Sequence, residues 1–285
     1  MITLKNGYLT VQVNEMAAEL SSVIYRGVEF MWQGDPAVWS GRAPIMFPFC
    51  GMLPEGGYVA DGKTYDLPLK HGFARHSLFE VESALDTAAT FVLRDSEKTR
   101  AMYPYRFTFK ARFALDGNAL KVTYSVKNDD ERPMYFSFGA HEAYACPEGV
   151  EAYEIVFDRP ETAGRYTVAP SGHLNPDPVP YFKNTTVYEP KAADFEIDAI
   201  VTKEIRSRRV TLQQKGGGRR ITVDFPGFPF LLFWQKPGAG YLCIEPWCGI
   251  AQQQHADRHI ERLEGIESVA PGEVFTRSHT IRFEV

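Results

Sequence analysis

Apolar and polar side chains alternate every two residues from the first segments of the chain onward. Leu9-Thr10-Val11-Gln12-Val13 is one such run, and Ala18-Glu19-Leu20-Ser21-Ser22-Val23-Ile24-Tyr25 follows at once. Arg26-Gly27 then reads as a tight turn into a further strand at Val28-Glu29-Phe30. A period of two is the signature of a strand with one buried face. The same cadence returns at Thr90–Leu93, Phe107–Phe113, Leu120–Val126 and Arg220–Phe225. Asp116-Gly117-Asn118 predicts a hairpin between two of these strands, because Gly and Asn accept the positive φ of such turns. Lys215-Gly216-Gly217-Gly218-Arg219 reads as another hairpin tip. Ala192 to Ile200 is the one segment expected to form a short turn of helix. The expectation is an all-β protein, residues 1–285 forming a single domain of two large packed antiparallel sheets.

Composition narrows the function. The chain is 44% hydrophobic and 24% charged, as in an ordinary globular protein. A formal charge of −5 argues against nucleic acid and anionic membranes as partners. No apolar run approaches the ~18 residues needed to span a bilayer, and the first residues lack a secretory h-region. Four cysteines in so long a chain make no disulfide framework, so a cytoplasmic protein with reduced thiols is expected.

The candidate chemistry sits in few places. His173, His255, His259 and His279 have polar or charged neighbours and read as surface histidines. His71, in Leu67-Pro68-Leu69-Lys70-His71-Gly72-Phe73-Ala74-Arg75, lies on a glycine-loosened loop between two cations, able to present several donors to a polyol or an anion. A surface loop with incidental charges has the same composition. His141 follows the strand Met134–Phe138 and precedes a loop ending at Pro147. Its two readings are a functional strand-end side chain and one satisfied by a backbone carbonyl. Glu245 lies in the apolar, aromatic run Tyr241–Gly249, where an acid is costly unless paired or used. Trp247 beside it suits stacking on a sugar ring, or the core. Cys243 and Cys248 are five apart, as are His141 and Cys146, which is poor spacing for structural zinc, so no metal is expected. P-loop, dinucleotide and nucleophile-elbow motifs are absent.

Four runs together carry a resemblance: Gly41-Arg42-Ala43-Pro44-Ile45-Met46-Phe47-Pro48-Phe49, His71-Gly72-Phe73-Ala74-Arg75, Phe138-Gly139-Ala140-His141 and Cys243-Ile244-Glu245-Pro246-Trp247. They resemble the galactose mutarotase-like (aldose 1-epimerase) superfamily, and within it the LacX-like branch, along essentially the whole chain. The resemblance implies a large β-supersandwich with few short helices. It implies His141 as general acid and Glu245 as general base. Arg42 and His71 then hold sugar hydroxyls, and Asp198 is a further substrate contact. Gln252-Gln253-Gln254 departs from relatives, which often place an Asp after the Glu-Pro-Trp motif.

The expected activity is interconversion of the α and β anomers of a free hexose, with neither cofactor nor metal. The partner is a small sugar, and a homodimer is left open. Two alternatives stand beside it. One is a hexose-6-phosphate 1-epimerase, in which Lys70 and Arg75 bind phosphate. The other is a sugar-binding protein without turnover, against which the His141 and Glu245 pair counts.

Overall fold

A computed structural model describes all residues from 1 to 285. The alternating runs do form antiparallel strands. Ile2–Lys5, Leu9–Asn14, Glu19–Tyr25 and Val28–Glu29 make a four-stranded sheet in chain order. A nine-stranded sheet runs from an edge at Val179–Tyr188 to an edge at Glu80–Leu85. Within it, Phe107–Asp116 pairs with Ala119–Asn128 through the predicted hairpin, where Gly117 takes φ 57°. The chain's last strand, Val274–Glu284, inserts between Ala119–Asn128 and Arg220–Asp224. The tri-glycine segment is the tip of the hairpin joining Arg209–Gln214 to Arg220–Asp224.

A second four-stranded sheet carries the chemistry. Its order is Glu142–Ala145, Tyr241–Trp247, Phe230–Trp234, Ile200–Thr202. The architecture thus differs in one respect from two large sheets: a single nine-stranded sheet shares its core with two four-stranded ones. Leu4 and Val11 of the first sheet, Phe109 and Val122 of the large one and Leu242 and Ile244 of the second belong to one cluster of 66 buried residues.

Helix is scarce, as expected. Ala192–Phe195 is a 3-10 turn. The alternation gave no hint of the six-residue helix Glu97–Met102, which forms because Ser96 and Thr99 close a reciprocal capping box at its start. No helix is long and apolar enough to cross a membrane. All four cysteines are free and buried.

Two of the four histidines expected at the surface are buried instead. His279 is fully enclosed and bonds Glu142 Oε1 at 2.9 Å, while His173 reaches Leu53 O at 2.9 Å and Ser171 Oγ at 3.0 Å. Their polar sequence neighbours misled, because burial here comes from distant strands. His255 and His259 are exposed and pair with Glu55 and Asp257.

Candidate active site

Strand alternation positions Glu245. On Tyr241–Trp247, the even residues Leu242 and Ile244 enter the main core. The odd ones, Tyr241, Cys243, Glu245 and Trp247, therefore face the opposite side of the sheet. Neighbouring Phe230–Trp234 sends Leu232 and Trp234 to that same side, opposite Glu245 and Cys243. Leu232, Trp234, Glu245 and Trp247 form one wall of a cavity of about 250 Å³.

His141 arrives from the other flank. Glu142 pairs with Ile244 and Ala143 with Cys243, so one step further in this antiparallel register sets His141 across from Glu245. The segment is held down by Ala140 N donating to Pro246 O and by Trp247 Nε1 donating to Ala140 O at 3.1 Å. Gly139 permits the approach, since a Cβ there would lie 2.5 Å from Met46 Cε and 2.6 Å from Trp247 Cδ1. His141 Nε2 stands 3.4 Å from Glu245 Oε2. Glu142, the next residue, is anchored through His279 to the last strand. His141 thus precedes a short paired strand, Glu142–Ala145, where a loop was expected.

Burial dominates the electrostatics of the pair. It pushes the His141 imidazole down to about 3, and the Arg75 charge acts in the same direction. It lifts the Glu245 carboxyl well above its usual range, opposed by Lys70 and reinforced by Asp198. Both shifts favour the uncharged forms.

His71 sits at φ 70°, a left-handed conformation that costs energy for a residue with a side chain. Gly72 follows at φ 69°, where a Cβ would lie 2.3 Å from Phe47 O. Gly51 N donates to His71 Nδ1 at 3.1 Å, and burial with the Lys70 charge holds the imidazole well below 6.5. A neutral ring accepting at Nδ1 carries its proton on Nε2, which makes His71 a hydrogen-bond donor for a ligand. Asp198, at φ 152°, also lines the cavity and pairs with Lys70 at 3.6 Å.

Arg75 lines the cavity as well. Burial lowers its affinity for a proton, Glu19 and Glu245 act the other way, and no carboxylate lies within ion-pair distance. Trp247 is buried, its N–H spent on Ala140 and its ring edge-on to His71 at 5.4 Å. It forms cavity wall more than stacking platform.

Arg42 is not brought to the cavity. Its Nη2 donates to Gln33 O at 2.8 Å, and its guanidinium packs against Gly34. Its backbone N–H, like that of Ala43, donates to Glu19 Oε1. Gln252, at the departure from relatives, is buried and bonds Ile250 O and Glu264 O, a structural role.

Among the lining residues that escaped the sequence reading are Trp39, Trp234 and Lys236. The two indoles flank His141, with ring centroids at 5.4 and 5.5 Å. Lys236 lies two residues past Trp234, on the exposed turn after the strand. Cys243 was weighed only against other cysteines. On the strand it shares a face with Glu245, and one donor atom each from His141, Cys243 and Glu245 lie within 4.8 Å of one another.

The sequence model of the family described as aldose 1-epimerase matches residues 1–282. The chain belongs to the aldose 1-epimerase family. A relative, the chromosomal protein LacX of Lactococcus lactis subsp. lactis, is 30% identical over 295 residues, covering 98% of each chain. A galactose mutarotase related enzyme from Lactobacillus acidophilus superposes with TM-score 0.92 at 31% identity, over 99% of this chain and 97% of that one. A galactose mutarotase-like protein from Lactobacillus casei ATCC 334 gives 0.91 at 25% identity, over all of both chains. The galactose mutarotase-like fold of this epimerase-family member follows from these likenesses.

Proposed function

We propose that the chain is a mutarotase, an aldose 1-epimerase interconverting the α and β anomers of a free hexose with His141 and Glu245 as its acid–base pair. The observation that carries this reading is the pair itself: opposed across one strand register, 3.4 Å apart and lining a cavity of small-molecule size. A binding protein has no need of such a pair.

The pair works with one proton. In the uncharged arrangement that burial favours, Glu245 holds it. Transfer to His141 gives the ion pair, with His141 as acid and Glu245 as base. Glu245 then takes the proton of the anomeric hydroxyl while His141 protonates the ring oxygen. The C1–O5 bond breaks to give the aldehyde, and rotation about C1–C2 exposes its other face. Closure reverses both transfers, so the site returns to its starting state without cofactor or metal. His71 and Asp198 are placed to hold hydroxyls, and Trp39 and Trp234 shield the imidazole from water. The test is polarimetry with a panel of neutral hexoses and hexose 6-phosphates. Acceleration of at least one is expected, and acceleration of none removes the reading.

A second reading, in which the sugar carries an anionic group, has one observation in its favour. Lys70, Arg75 and Lys236 face two carboxylates, Glu245 and Asp198, and Arg75 has neither as a close partner. A hexose phosphate would supply what Arg75 lacks.

A further inference from the structure

We infer that His141, Cys243 and Glu245 form a binding site for a thiophilic divalent cation such as Zn²⁺, whose occupation shuts off the acid–base pair. Imidazole, thiolate and carboxylate are the ligand types zinc takes, and here one of each converges within 4.8 Å. The strand supplies two of them, because Cys243 and Glu245 are two residues apart on one face. The cross-strand register supplies the third.

The spacing fits. A hydrogen-bonded imidazolium and carboxylate would approach to about 2.7–2.9 Å. The observed 3.4 Å between Nε2 and Oε2 is longer. Two ligands bound at about 2.0–2.2 Å in a tetrahedron stand roughly 3.3–3.6 Å apart. The pair is therefore set at a separation that one ion can bridge. Cys243 is fully buried and has no part in the proton transfers proposed above. Its thiolate and the Glu245 carboxylate together match the ion's charge of two.

The same geometry limits the affinity. A ligating imidazole normally donates its second N–H to a neighbour, but His141 Nδ1 is buried without a partner. A missing partner of that kind costs roughly 10–100-fold in metal affinity. The site is thus one that fills reversibly, not a resident metal centre. On binding, the Cys243 S–H and Glu245 O–H bonds break, Zn–S and Zn–O bonds form, and the two protons leave to solvent. Inhibition follows because His141 Nε2 and Glu245 Oε2 are then both engaged. That consequence rests on the proposed activity, whereas the binding does not.

The experiment is titration of the metal-free protein with zinc chloride against a chromophoric chelator, with cobalt(II) as a spectroscopic substitute. The expected result is one ion per chain and a thiolate-to-cobalt charge-transfer band, both reversed by EDTA. Cys243→Ala should weaken zinc binding and zinc inhibition roughly tenfold or more through loss of one of three ligands. Cys248→Ala, whose sulfur contacts Arg277 instead, should leave both as in the wild type. Absence of stoichiometric binding, a cobalt spectrum without the thiolate band, or unchanged zinc binding in Cys243→Ala would each overturn the site. The wild-type cobalt spectrum decides even if the alanine variant does not fold. A protein that binds zinc as described yet turns over no sugar would retain the site and remove the mutarotase reading.

Discussion

His141 and Glu245 face each other across one antiparallel register with Nε2 and Oε2 3.4 Å apart, and both are almost wholly removed from water. Burial pushes the imidazole down to about 3 and the carboxyl up, so a single proton is shared between values that neither group has in solution.

That sharing fixes a pH dependence. Turnover needs the one-proton form of the pair. It is lost as pH falls through the depressed His141 value, when a second proton binds, and as pH rises through the raised Glu245 value, when the shared proton leaves. The acid limb of kcat/KM should therefore lie below about pH 5, well under the ordinary imidazole value of about 6.5. Polarimetric rates corrected for the uncatalysed reaction check this. An acid limb at 6.5 would show His141 titrating as a solvated imidazole.

Arg75 distinguishes neutral from charged substrates. Replacing it with Ala should change kcat/KM little on glucose and galactose. On a hexose 6-phosphate it should remove a charge-assisted contact of about 1.5–3 kcal/mol, a ten- to hundredfold loss. Lys236→Ala should show the same selectivity more weakly, because the residue is exposed. Equal losses on both substrates would assign Arg75 to the sugar ring itself.

Chelation supplies a third check. EDTA should leave turnover intact, or raise it where trace zinc occupies the pair. Loss of activity on chelation, restored by a divalent ion, would contradict the cofactor-free mechanism.

Arg42 was assigned to the sugar by resemblance, whereas the structure ties it to Gln33. Arg42→Met should lower stability by about 1 kcal/mol, the usual worth of one hydrogen bond, and leave KM near its wild-type value. Chemical denaturation and steady-state kinetics separate the two. A raised KM with unchanged stability would return Arg42 to the substrate.

The strands were legible because a sheet with one buried face writes its period into the sequence, as Leu9–Asn14 does with strictly alternating burial. The pairing of His141 with Glu245 was legible only through motif resemblance. Nothing local to either residue shows that strands 100 residues apart align in register. Trp39, Trp234 and Lys236 were missed for the same reason: each looks like an ordinary strand-end or turn residue until neighbouring strands close the cavity. His279, read as a surface residue, went further astray, and its partner Glu142 drew no reading at all. Their polar side chains are stable in the core because each partners the other, and that pairing has no signature along the chain.

The acid–base role of His141 and Glu245 is checked by following the anomeric interconversion of galactose and glucose with wild type, His141→Asn and Glu245→Gln, each shown to be folded by circular dichroism. The wild type should accelerate interconversion, and each variant should lose about 10²–10⁴-fold in kcat. A folded variant at either position that keeps the wild-type rate would contradict that role.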